Sequence, residues 1–290
     1  DSPSDAIFDD FEDQVFDGHS LGRNILGTVD SVKSFNRQHI LDFISRNYGY
    51  NRLVFSSVGN ISAKRLRELL EKQLEGVSLG DCPRNEEAPN LYQPQSIETL
   101  RTGYQTHAIV GNRAYAASSE KMRVLTLLNN LLGGPGMNSR LNLNIREKYG
   151  FTYHLESFYQ PYSDTGLFGI YLGTDPGTIE KVLRLVDKEL KKLRNQALGI
   201  LQLSKAKRQV LGQIAMAQEN NNALMLAYGK SLLTFDKIDE FEQVEEKIEA
   251  ISASDLLEVA NEIFVPENMS TLIFKSKNPS FINFKASSIL

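Results

Sequence analysis

The sequence predicts a mixed chain of helices and strands that holds two unequal copies of one unit, the first incomplete and the second complete. Three observations predict it. Residues 32–48 (VKSFNRQHILDFISRNY) lie on residues 248–264 (IEAISASDLLEVANEIF) at a constant offset, so Val32, Phe35, Ile40, Leu41 and Ile44 fall on Ile248, Ile251, Leu256, Leu257 and Ala260. A strand-like run follows in both copies, NRLVFSSV in the first and NMSTLIFKS in the second. The second copy is preceded by a long series of strand and helix patterns, the first by a short one. Before residue 76 only one clear strand is legible, and a lone strand leaves its backbone N–H and C=O groups unpaired. Residues 1–75 are therefore expected to be the tail end of a domain whose beginning lies outside this chain. Residues 76–100 are expected to be a linker and 101–290 the complete second domain.

Each element has a local reason. Residues 3–17 read as a helix: Ser2 can cap, Pro3 suits the first turn, and Ile7, Phe8, Phe11 and Val15 line one side. Residues 37–48 form a second helix behind Asn36, residues 52–58 (RLVFSSV) a strand, and 62–75 a helix starting at Ser62. Residues 76–100 collect Gly76, Gly80, Pro83, Pro89 and Pro94 among polar residues, the composition of a turn-rich connection. Beyond it, 103–111 reads as a strand, 119–132 as a strongly apolar helix, 133–138 as a loop and 139–149 as a helix. Strands at 151–160 and 165–173 flank a turn at Pro161–Asp164. Helices follow to about 195, at 201–219, 221–233, 239–250 and 254–264, before a last strand at 269–275.

The totals fit this plan and exclude several classes. A chain of 290 residues suits about two domains, and 41% hydrophobic with 23% charged residues is ordinary for a globular protein with real cores. A net charge of −4 argues against a dominant nucleic-acid surface. No apolar run has the length of a membrane span. Cys82 is the only cysteine, which excludes an intrachain disulfide and a multi-cysteine zinc site but leaves the compartment open.

The densest chemistry lies in LLGGPGMNSRLNLNIREKYGFTY, residues 131–153. Gly133, Gly134 and Gly136 are followed by Met-Asn-Ser-Arg, without the lysine a P-loop requires. Ser139 reads as an N-cap or first-turn residue. His19, His39, His107 and His154 stand in no H-E-x-x-H or H-x-x-E-H pattern; His154-Leu-Glu156 resembles the start of a deaminase signature, but no P-C-x-x-C follows. Arg146 falls in the last turn of the helix that Gly150 ends, and Tyr153 is the third residue of the returning strand, so both side chains can reach one rim. Period-two alternation puts Phe151, Leu155 and Tyr159 on Tyr153's face. A guanidinium and a phenol together make a donor cluster for a peptide carbonyl or a developing oxyanion. Helix C-terminus chemistry for Arg146 and aromatic packing for Tyr153 account for the same residues without a function.

Four blocks taken together, FDGHSLGRNILGT (16–28), LVFSSVGNIS (53–62), LLGGPGMNSRLNLNIREKYGFTYHLES (131–157) and DTGLFGIYLGTDP (164–176), resemble the pitrilysin/insulinase family of zinc metallopeptidases, in the family's order and over nearly the whole chain. The likeness is to bacterial two-domain members related to mitochondrial processing peptidase. It implies an α+β fold of duplicated metallopeptidase-type domains, each an antiparallel sheet covered by helices. The family's H-x-x-E-H motif and its third glutamate ligand fall upstream of Asp1, and helix 119–132 stands where the zinc helix lies in the first domain. The resemblance implies catalytic roles for Arg146 and Tyr153, facing a zinc site across a chamber, anchoring the substrate main chain and stabilising the tetrahedral intermediate. It places Gly133, Gly134, Gly136, Asn138 and Ser139 at the chamber edge as substrate-binding residues. It implies zinc in the complete enzyme and none bound by this chain, with metal, water and glutamate base supplied by the upstream segment or a partner subunit. It implies a peptide or unfolded polypeptide as substrate and a homo- or hetero-oligomer as the assembly, and leaves open whether the compartment is bacterial cytoplasm or periplasm. The alternative is a non-catalytic substrate-binding or structural subunit of a paired assembly.

Overall fold

The structure, a computed structural model, describes residues 2–77, 80–82, 89 and 91–277. It divides into two compact units, one of Asp1–Ile25, Ala88–Arg208 and Ile248–Leu290, the other of Leu26–Glu87 and Gln209–Lys247. These units do not follow the boundaries 1–75, 76–100 and 101–290. The apolar stripe of helix α1 (Pro3–Val15) is the reason: Ile7, Phe11 and Val15, with Phe16, are buried in the core of the first unit.

The first unit is built on a five-stranded sheet in the order β1-β5-β2-β4-β3. The strands are β1 (Ser96–Arg101), β2 (Thr106–Ala114), β3 (Thr152–Pro161), β4 (Gly166–Thr174) and β5 (Ser270–Ser276). All pairs are antiparallel except the edge pair β1–β5, which is parallel. β1 falls inside the expected linker. Its partner lies far along the chain, with Ser96 opposite Thr271, so a local composition rich in Gly and Pro conceals it. The remainder of the expected linker at 78–79, 83–88 and 90 lies outside the described residues, as do 278–290 of the expected second domain.

Both faces of the sheet are covered, which is why β4 is buried along its whole length. On one face α1 packs Ile7, Phe11 and Phe16 against Ile109, Leu167, Tyr171, Leu272 and Phe274. On the other lie α5 (Met122–Gly133), α6 (Ile179–Asn195) and α10 (Ala253–Ile263). There Phe168 meets Phe264 at 5.0 Å, Asn112 Nδ2 donates to the Ile263 carbonyl at 2.7 Å, and Ser157 Oγ donates to the Asn129 carbonyl at 3.1 Å. Helices α7 (Ile200–Gln218) and α9 (Phe241–Glu249) cross the division between the units.

The second unit contains α2 (Val29–Ser34), α3 (Arg37–Asn47), α4 (Ala63–Leu74) and α8 (Asn221–Phe235). α2 begins with a capping box between Thr28 and Ser31. The expected strand 52–58 is corrected: residues 53–58 form no ladder among the described residues. Their burial alternates as in a strand and Leu53 has extended dihedrals, but no strand among the described residues supplies partners; Ser56 Oγ donates instead to the Met225 carbonyl on α8 at 2.8 Å. The repeat is visible in burial. Ile248, Ile251, Leu256 and Ala260 are buried, whereas their counterparts Val32, Phe35, Ile40 and Ile44 are exposed.

Candidate functional site

α5 ends against β3 through an unusually close approach at Gly133. A Cβ there would sit 2.5 Å from the Ser157 amide nitrogen and 2.8 Å from Leu141 Cδ1. The chain then turns through 134–139 into helix 140–149. Ser139 is 2% exposed; its hydroxyl accepts from Asn142 Nδ2 at 2.8 Å and its carbonyl from the Leu143 amide at 3.0 Å. Within this helix Asn142–Glu147 is wound as a π-helical turn, a rare geometry that recurs at functional sites. Gly150 closes it at φ +64, a conformation that favours glycine, with its amide donating to the Arg146 carbonyl at 2.9 Å.

β3 returns beside this helix with a bulge. Thr152 pairs with Thr174 and His154 with Gly173, so Tyr153 is the extra residue. A bulge re-aims its side chain and breaks the alternation of the strand. The expected common face of Tyr153 and Leu155 is corrected on this ground: Leu155 is buried, while Tyr153 is 59% exposed beside an exposed His154.

Helix end and bulge together make a depression of about 320 Å³, lined by Gly134, Pro135, Asn142, Arg146, Tyr153, His154, Leu155 and Glu156. Arg146 and Tyr153 are thus brought together, with Gly134 of the loop. Gly133 and Ser139 are buried and Gly136 and Asn138 lie outside the lining, so loop packing accounts for the first two. Three neighbours join them, of which the sequence analysis noted His154 and Glu156 without assigning them to this site. His154 Nε2 lies 3.3 Å from Glu156 Oε2, and Tyr153 donates its hydroxyl to Asp175 Oδ1 at 3.2 Å. The spacing of His154 and Glu156 on β3 was visible; Asp175 arrives only because β4 pairs with β3.

The Asp175 charge beside Tyr153, and next its hydrogen bond, raise the phenol above its ordinary value and keep it protonated. A phenol carries one proton, so donation to a reacting carbonyl requires the hydroxyl to turn from Asp175. A guanidinium and a phenol at the rim of a polar depression can hold a carbonyl oxygen, and more strongly an oxyanion.

The residues present do not fit a zinc ion. Among the described residues no cluster of three His, Cys, Asp or Glu side chains could hold a metal. α5 presents Leu125, Leu127, Leu128 and Leu132 to the core. No helix of the described residues is long and apolar enough to cross a membrane.

The chain is similar to an uncharacterized zinc protease of Rickettsia bellii, 29% identical over 94% of this chain and 66% of the relative. It is similar to another of Streptomyces coelicolor, 30% identical over 91% of this chain and 59% of that protein. The chain therefore spans about two thirds or less of these relatives. Its fold is similar to a crystal structure described as a peptidase M16 inactive domain from Pseudomonas fluorescens, with TM-score 0.86, 19% identity, and coverage of 95% of this chain and 66% of that one. It is also similar to a chain of complex III₂ from Candida albicans, with TM-score 0.84, 18% identity, and coverage of 94% and 67%. The family model described as Peptidase M16 inactive domain matches residues 34–210, well over half of the sequence, and the chain belongs to that family.

Proposed function

We propose that the chain is the substrate-positioning part of a zinc-dependent endopeptidase that hydrolyses peptides in a chamber between domains. The observation that carries this is the single depression in which Arg146 and Tyr153 stand together. Family membership and the zinc-protease names of similar proteins support the peptidase class. The metal, its water and the general base belong to a segment or subunit beyond the described residues. This chain's own groups bind and orient. The planar fork of Arg146 holds a main-chain carbonyl, and Tyr153 donates to the oxygen that gains charge at the reacting carbon. The outer edge of β3, last in the sheet order among the described residues, offers N–H and C=O groups to an extended peptide. The exposed apolar side of α3 is the face that a first-domain sheet covers in the complete protein; its buried counterpart on α10 supports this.

A second reading, a non-catalytic partner subunit, draws on the description of the matching family as an inactive domain. An intact metal motif in the full-length protein favours the first reading, a degenerate one the second.

The test uses the assembled peptidase. Tyr153→Phe is expected to lower kcat by about 10²–10³, the usual effect of losing one oxyanion donor. Arg146→Ala is expected to raise KM as well as lower kcat, with zinc content unchanged in both. Wild-type turnover by a folded Tyr153→Phe enzyme would reduce Tyr153 to a packing aromatic.

A further inference from the structure

We infer that Glu189, outside the depression, is a positioning residue that holds Arg146 in register through the π-helical turn. Glu189 lies on α6 and is 3% exposed. Its Oε2 accepts from Arg140 Nη2 at 3.2 Å and from Asn144 Nδ2 at 3.1 Å, and its Oε1 accepts from Lys192 Nζ at 2.5 Å. Arg140 stands just before the π turn and Asn144 inside it, two residues ahead of Arg146. One buried carboxylate therefore grips the helix on both sides of the turn's beginning. The contact is tied to function by the type of turn. A π turn carries about one residue more than an α turn, and it persists only where its surroundings over-determine it. Relaxation to α geometry rotates the side chains at the end of the turn, Arg146 among them, against those before it by up to about one residue, or about 100°. Leu141 and Ile145, both fully buried, fix the helix to the domain, but their apolar side chains cannot hydrogen-bond to the turn. Beyond Ile145 the Arg146 side chain projects into the depression from a turn that Glu189 holds.

Removing the carboxylate has a defined chemical effect. Glu189→Gln is nearly isosteric, yet one acceptor oxygen becomes an NH₂ group among donors from Arg140, Asn144 and Lys192. Asn144→Ala is the gentler variant. It removes only the bond inside the π turn and leaves the ion pairs of Glu189 with Arg140 and Lys192 in place.

The effect of Glu189 on binding rests on the Arg146 function proposed above, whereas its hold on the helix does not, and the experiment separates the two. The first arm measures amide exchange over residues 142–150, including the Gly150 amide bonded to the Arg146 carbonyl. Both variants are expected to exchange about tenfold faster there, as for loss of one hydrogen bond to a charged group, with β4 amides unchanged. The second arm measures anisotropy of fluorescein-labelled β-casein, a naturally unfolded polypeptide, with the full chain. Asn144→Ala and Glu189→Gln are expected to weaken binding about tenfold, and to have no further effect in an Arg146→Ala background. Unchanged exchange over 142–150 overturns the inference, and so does a loss of binding that adds to that of Arg146→Ala. If Arg146→Ala alone leaves binding intact, the proposed function fails; the exchange arm then still decides whether Glu189 sets the turn.

Discussion

Replacing Gly133 with alanine puts a methyl group where α5 and β3 leave no room. The new Cβ would lie 2.5 Å from the Ser157 amide nitrogen and 2.8 Å from both Ser157 Oγ and Leu141 Cδ1. Non-bonded carbon contacts are most favourable at about 3.5–4.0 Å, so a shift of about 1 Å is needed. The Leu141 tip could turn, although it is fully buried; the Ser157 nitrogen moves only if β3 moves. Overpacking of this kind costs about 1–3 kcal/mol. Alanine recovers part of this, since glycine in a helix is worse by about 0.5–1 kcal/mol, less at the last residue of α5. The net expectation is a loss of about 1–2 kcal/mol, a fall in Tm of about 2–8 °C for a domain of this size. Thermal unfolding followed by circular dichroism measures it, and faster exchange of the Ser157 amide locates it. Gly177→Ala is the control, because a Cβ there meets nothing within 4 Å. An unchanged or higher Tm in Gly133→Ala would refute the packing account. Weaker peptide binding without loss of stability would return Gly133 to the substrate-binding set.

Two further outcomes stem from charge. Asp175→Asn is expected to lower the Tyr153 phenol towards its ordinary value of about 10, because the neighbouring negative charge is what raises it. Ultraviolet titration against Tyr153→Phe resolves this tyrosine, and a curve unmoved by Asp175→Asn would remove Asp175 from the account. His107 is buried, its Nδ1 2.9 Å from the hydroxyl of Tyr171, whose phenol burial pushes up to about 12. Desolvation lowers the imidazole below 6.5, so the unfolded chain takes up this proton first as pH falls. Stability should be complete above about pH 6.5 and decline from there towards the lowered folded value. Urea midpoints measured from about pH 7 to about pH 5 should show this decline, and His107→Gln should flatten it. Equal acid slopes in the two proteins would exclude His107 as its source.

The regular elements were legible because their signals are local. The stripe of Leu125, Leu128 and Leu132, the glycine stop at Gly150 and the turn at Pro161–Asp164 each mark an element within a residue or a few of where it stands. β1 was not legible, since its partner among the described residues is β5 and nothing near Ser96 announces Thr271. At 52–58 the run RLVFSSV reads as a strand, although its strand-forming residues say nothing of a partner. The site divides in the same way. The separation of Arg146 and Tyr153 across Gly150 was enough to bring them to one rim. The bulge at Tyr153 and the π turn at Asn142–Glu147 each insert a residue into a regular period, and periodic patterns carry no trace of that. At Gly133 the glycine-rich stretch suggests close backbone packing, but the strand it packs against, at Ser157, lies too far along the chain for the sequence to show it.

The position of β5 has a consequence for synthesis. β2, β4 and β3 can pair once residue 174 has left the ribosome. β5, which lies between β1 and β2, emerges roughly 100 residues later, or about 5–20 s at 5–20 residues per second. Until then β1 lacks β5, its neighbour in the sheet, and Ile7, Phe11 and Phe16 lack Leu272 and Phe274, two of the five residues they close on. The nascent protein thus carries an apolar face and an open strand edge until β5 emerges, a demand on ribosome-associated chaperones. Any product that stops short of residue 270 keeps both defects permanently, so quality-control proteases can distinguish it from finished chains.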